Sequence, residues 1–132
     1  MQVESGKLYL IPTTLGDNEP MQVLPVTVQT TVMQLQYFFV ENEKSARRFV
    51  KAIAPQKAQS ELVLFTLNKY ADIKESSIFL DNCAKGISVG LLSEAGTPAI
   101  ADPGAQVVMM AHERNIKVVP LVGPSSIVLA MI

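Results

Sequence analysis

The chain has 132 residues, 48% of them hydrophobic and 17% charged, which is enough apolar surface for one packed core and argues against disorder. Eleven Lys and Arg against twelve Asp and Glu leave a net charge of −1, so no whole-chain field gathers nucleic acid or anionic lipid, and any basic surface must be local. One cysteine, Cys83, excludes an internal disulfide and, with the single His112, a Cys/His zinc centre; a reducing compartment, the cytoplasm, is expected.

In chain order, the apolar run Lys7 to Ile11 predicts a first strand. Pro25 to Gln36 follows, where VTVQ alternates as a strand would while Val28, Val32 and Leu35 recur at helical spacing; periodicity alone leaves it open. Tyr37 to Glu41 predicts a second strand. In Glu41 to Ala54, Ala46, Phe49, Val50 and Ile53 share one helical face and the charges take the other. Glu61 to Phe65 predicts a third strand, Ile73 to Lys85 a connecting helix, and Ile87 to Leu92 a fourth strand. Asp102, Pro103 and the apolar AQVVMMA match an N-cap, a first-turn proline and a helix body, with Asn115 placed to close the far end. Lys117 to Leu121 predicts a fifth strand.

Most of these runs are continuously apolar rather than alternating, as strands covered on both faces require. That favours a parallel sheet, and parallel neighbours need crossover connections, which resolves Pro25 to Gln36 as a helix. The expected fold is α/β, a five-stranded mostly parallel sheet with helices on both faces, in one domain over residues 1–132. No apolar run reaches the ~20 residues of a membrane helix, and no leader pattern opens the chain, so neither membrane insertion nor secretion is expected. The closing run IVLAMI, Ile127 to Ile132, is wholly apolar and has no capping residue, so a further domain is expected to be missing.

Open parallel sheets bind ligands beyond the carboxyl ends of their strands, where connections diverge to opposite faces. Three loops deserve inspection there: PTTLGDNEP (Pro12 to Pro20), SEAGTPAIADPG (Ser93 to Gly104) and VGPSS (Val122 to Ser126). Each mixes Gly or Pro with small hydroxyl residues that let backbone N–H groups approach a ligand, although any one of them alone reads as an ordinary turn. The middle loop has twelve residues, well beyond the ~2–6 of common strand-to-helix connections. No GxxxxGK[ST], GxGxxG after the first strand, GxSxG or HExxH occurs, which removes support for nucleotide hydrolysis, dinucleotide binding, serine hydrolysis and zinc proteolysis. Ser93, Ser125 and Ser126 have no histidine placed to activate them, since His112 falls mid-helix.

The run LLSEAGTPAIADPG (Leu91 to Gly104), followed by IKVVPLVGPSS (Ile116 to Ser126) and preceded by LYLIPTTLGD (Leu8 to Asp17), resembles the tetrapyrrole methylase superfamily. Within it, the chain is most similar to the ribosomal RNA 2′-O-ribose methyltransferases acting on a cytidine of the small-subunit RNA. The resemblance covers essentially the whole chain and implies an N-terminal cofactor-binding domain without its C-terminal partner domain. It also implies S-adenosylmethionine as cofactor, a homodimer, and cofactor contacts near Leu15, on Ala95, Gly96 and Thr97 with Ile100 as apolar neighbour, and on Ser125 and Ser126. Glu94 stands where the RNA-methylating branch often has Asp.

Two departures leave the methyl acceptor open. The segment after the second strand reads ENEKSARR, Glu41 to Arg48, where the branch has a Glu-Asp-Thr-Arg-like segment, keeping Glu41 and a basic Lys44. The segment after the third strand, LNKY (Leu67 to Tyr70), lacks the branch's His. A tetrapyrrole or other small-molecule acceptor, or a non-catalytic cofactor-binding module, are the alternatives, and no residue is identified as a catalytic base. Lys44, Arg47, Arg48, Lys51 and Lys57 form the one dense basic cluster, either a phosphate contact or a solvated helix face.

Overall fold

The computed structural model describes residues 5–12, 26–67, 73–93 and 104–121. They form strands β1 (Leu8–Pro12), β2 (Tyr37–Val40), β3 (Val63–Thr66), β4 (Val89–Ser93) and β5 (Val118–Pro120), joined through helices α1 (Val26–Gln34), α2 (Glu43–Ile53), α3 (Ile73–Ala84) and α4 (Gly104–Glu113). The five strands make one sheet in the order β3-β2-β4-β1-β5, and every pairing is parallel.

The sheet's two faces divide the core. Alternate residues Ile11, Phe38, Val40 and Leu92 point into one cluster with Val28 and Val32 of α1 and Ala46, Phe49, Val50 and Ile53 of α2. Leu8, Phe39, Val89 and Leu91 point the other way, onto Leu80 and Cys83 of α3 and Val107 and Ala111 of α4. This division follows from the strand order. From β1 the chain steps to β2 and β3 at one edge, then returns to β4 and β5 at the other, and right-handed crossovers in opposite directions lay their helices on opposite faces.

Gly90 of β4 sits opposite Tyr9 and Phe38 on the α1/α2 face, where a Cβ would lie 2.8 Å from Phe38 Cδ1 and 2.9 Å from Ile11 Cδ1. The missing side chain admits the Phe38 ring to the middle of the sheet.

The helix ends are closed by local chemistry. Asn42 caps α2, its Oδ1 accepting from the Ser45 N–H at 2.9 Å. Asn115, at φ 59°, ends α4 with the Ile116 N–H donating to Ala111 O at 2.8 Å and the Asn115 N–H to His112 O at 3.1 Å. Gly86, at φ 89°, ends α3 through the same pair of bonds, Ile87 to Asn82 and Gly86 to Cys83.

Four expected strands start later than predicted, β1 and β5 by one residue and β3 and β4 by two. Ile87 is used in closing α3 and Ser88 accepts the Lys7 N–H on its Oγ at 3.0 Å, so β4 begins at Val89. Leu62 donates to Gln59 O at the end of the 3₁₀ turn Gln59–Glu61, so β3 begins at Val63. His112 lies in the last turn of α4 rather than mid-helix, and it is exposed. The expected cap residues Asp102 and Pro103 lie outside the described residues.

Candidate functional site

Strands β4 and β1 are neighbours, yet their outgoing connections run to opposite faces, β1 toward α1 and β4 toward α4. That makes the space beyond Pro12 and Ser93, which face each other in register, the topological switch point of the sheet. The third strand end adjoins it, because β5 pairs with β1 and the Leu121 N–H donates to Leu10 O at 3.0 Å. The three segments singled out in the sequence therefore leave from three consecutive strands, about 10 Å across at ~4.8 Å per strand. At these strand ends the sheet is apolar, with Ile11, Leu91 and Leu92 almost fully buried.

Leu15, Ala95, Gly96, Thr97, Ile100, Ser125 and Ser126 all lie outside the described residues. They stand two to seven positions along the chain from Pro12, Ser93 and Leu121. What the structure brings together is the set of strand ends from which their segments depart.

Next along the edge, β2 ends at Val40, and continuing its register with β4 sets Glu41, half-buried, opposite Ser93. Lys44 lies in the first turn of α2, above this edge.

The basic cluster separates into two groups. Arg47 is structural: its guanidinium donates to Glu43 Oε1 at 3.1 and 3.2 Å and to Gln59 O at 3.0 Å, while Gln59 Nε2 returns a bond to Arg47 O at 3.2 Å. Lys57 Nζ donates to Met33 O at 3.1 Å and so closes the end of α1. Lys44, Arg48 and Lys51 remain exposed at i, i+4 and i+7 on one face of α2, a line of positive charge that starts at the carboxyl edge of the sheet.

Cys83 is excluded from chemistry. It is fully buried, and burial pushes its thiol up to about 11, only partly offset by the Arg114 charge and a backbone hydrogen bond from Val89. Among the described residues no group of three or more His, Cys, Asp and Glu is placed to hold a metal ion, and no helix is long and apolar enough to cross a membrane.

Curated relatives match the chain almost end to end. The ribosomal RNA small subunit methyltransferase I of Buchnera aphidicola subsp. Schizaphis graminum is 30% identical over 128 residues, 97% of this chain and 42% of the relative. The protein of the same name from Borrelia garinii subsp. bavariensis is 32% identical over 119 residues, 90% of this chain and 50% of the relative. That of Vibrio cholerae is 27% identical over 124 residues, 94% and 40%. These relatives bear out the resemblance to the ribosomal RNA methyltransferase branch of the tetrapyrrole methylases. No protein-family model matches it. The chain spans two-fifths to one-half of the length of these relatives.

The strand ends from which the three segments of the resemblance depart adjoin one another at the switch point between β1 and β4. Two grooves among the described residues lie away from this switch point. One, lined by Tyr9, Gln36, Gly86 and Ser88, opens at the amino ends of the strands; the other lies against the edge strand β3. Sequence reasoning did not separate Arg47 from Lys44, Arg48 and Lys51. The signal was present in Glu43, four residues before Arg47, a spacing that pairs charges on one helix.

Proposed function

We propose that this chain forms the S-adenosylmethionine-binding side of a cytoplasmic, homodimeric methyltransferase whose acceptor is a ribose 2′-hydroxyl of small-subunit ribosomal RNA. The observation that carries this reading is the convergence of three Gly- and hydroxyl-bearing segments on adjacent strand ends at the switch point. The names of relatives matching nine-tenths or more of the chain support the same reading.

The residues fit such a cofactor. The sheet is apolar at Ile11, Leu91 and Leu92, the strand-end pair Pro12 and Ser93 is uncharged, and the segments that follow in the sequence are rich in small and hydroxyl residues. Leu15, Ala95, Gly96, Thr97, Ile100, Ser125 and Ser126 would hold it, glycine and alanine by letting the backbone come close, threonine and serine by hydrogen bonding without bulk. The cofactor supplies an activated methyl group on a sulfonium. The chain's task is to align donor and acceptor and to exclude water. Lys44, Arg48 and Lys51 would take the phosphates of an RNA strand leading to that edge.

Titration calorimetry with S-adenosylhomocysteine tests the reading. Binding is expected for the chain and is expected to be lost on Gly96→Val; absence of heat at about 1 mM ligand, a ~4 kcal/mol threshold, would refute it. One observation favours a different acceptor: LNKY after β3 lacks the His of the RNA-methylating branch. Labelled methyl groups entering a tetrapyrrole or other small molecule rather than small ribosomal subunits would support that alternative. Cofactor binding without transfer to either would mark a non-catalytic module.

A further inference from the structure

Among the described residues, the strand order leaves one edge of the sheet only partly covered. On the α1/α2 face, α2 connects β2 to β3 and packs beside them. On the other face, the connection from β3 must travel inward to β4, so α3 packs against β4 and reaches the outer strand through Phe79, whose ring lies 5.3 Å from that of Phe65. The result is a groove of about 440 Å³ against β3, floored by Tyr37, Val63, Phe65 and Phe79 and overhung by Ile78. Ile78 is 64% exposed and Val63 39%. The edge strand reads VLFT, with none of the charges or prolines that protect edge strands from association.

We propose that this groove is the contact between two copies of the chain, related by a twofold axis across α3. This deepens the homodimer reading above by naming its surface. The groove's ends carry opposite charges, Glu75 at the first turn of α3 and Lys85 just beyond its last. They are ten positions apart, about 15 Å along the helix. An isologous contact demands that if one residue meets another, the reverse contact also forms. Two antiparallel α3 helices satisfy this, setting Glu75 of each against the partner's Lys85 while Ile78 of each enters the partner's aromatic groove. A parallel arrangement would oppose like charges. Among the described residues, the ion pairs are Arg47–Glu43 and Arg114–Asp81, and neither uses Glu75 or Lys85. The contact also leaves the candidate cofactor crevice open, since β5 lies at the opposite edge, four strand spacings or ~19 Å from β3.

Sedimentation velocity of the chain from about 1 to 100 μM is the test. A dimer is expected. Ile78→Asp, a surface change, should raise its dissociation constant about tenfold or more. Glu75→Lys and Lys85→Glu should each weaken it about fivefold, and the Glu75→Lys/Lys85→Glu double variant should recover to within about twofold of the parent. A monomer at all concentrations overturns the dimer reading and this proposal with it. A dimer indifferent to all three single changes overturns the surface alone, and a double variant that fails to recover overturns the antiparallel twofold arrangement. Circular dichroism of each variant confirms that the fold is retained.

Discussion

Arg114, at the end of α4, reaches back to α3 and donates from Nη2 to Asp81 Oδ1 at 2.6 Å, while its Nη1 donates to Ser77 O at 2.8 Å. One guanidinium thus ties together the two helices that cover β4 and β1 beneath the candidate crevice. The carboxylate is half exposed, which screens the charge pair, so most of the contribution comes from the bond to the Ser77 carbonyl. Arg114→Ala should lower stability by about 1–2 kcal/mol in urea denaturation, and Asp81→Asn by less than half of that. Arg114→Lys should not restore it, because an ammonium cannot span both acceptors in the fork geometry.

Glycines at positions 6 and 90 are needed for different reasons, and their alanine variants should rank accordingly. At Gly90 the obstacle is side chain, Phe38 and Ile11, and Gly90→Ala should cost about 1–3 kcal/mol, partly recovered by Phe38→Leu. At Gly6 the obstacle is the backbone of Ile87 and Ser88, which cannot rotate away. Gly6→Ala should cost about 3 kcal/mol or more, with no recovery from a side-chain change. Chemical denaturation of the three variants decides the order.

Asn115 occupies a left-handed position that closes α4. Glycine adopts that conformation without a Cβ, so Asn115→Gly should raise stability by about 0.5–1 kcal/mol and Asn115→Val should lower it by at least as much. A thermal melt in which the two variants shift in the same direction would contradict the assignment.

The buried Cys83 gives stability a pH dependence of defined sign. Its pKa is higher in the fold, about 11, than the ordinary 9.0, so the folded state favours the protonated thiol. That contribution is fully present below pH ~9 and is lost as pH rises from there through about 11. Comparing the parent with Cys83→Ala isolates it: the stability difference should shrink across that interval and stay flat between pH 6 and 8. A thiol reagent at pH 8 should modify the native protein only at its unfolding rate.

Lys44, Arg48 and Lys51 stand free of the hydrogen bonds that occupy Arg47 and Lys57. If RNA phosphates lie along α2, replacing each of the three by alanine should weaken RNA binding without sequence preference and reduce the slope of log K against log salt by about 0.7–0.9. Arg47→Ala should instead reduce stability with little change in that slope. Filter binding over a salt series separates the two classes.

Sequence by itself determined the elements and their inward faces. Ala46, Phe49, Val50 and Ile53 are read from helical spacing and all four are buried, and continuous apolar runs identify strands that must be covered twice. Asn115 was legible as a cap because its φ preference is local. Such features depend on neighbours within a few residues, where side-chain periodicity and backbone sterics act. The candidate site was legible only in part: the three segments could be chosen, but nothing in their spacing said that they leave adjacent strands. Only the tertiary structure decided the order β3-β2-β4-β1-β5, the groove beside β3, the room Gly90 makes for Phe38, and the diversion of Arg47 and Lys57 into structural bonds. These rest on contacts between residues far apart in the chain. A chain of short βα units admits several strand orders with the same local pattern, and they are distinguished by the packing of helices against whole sheet faces.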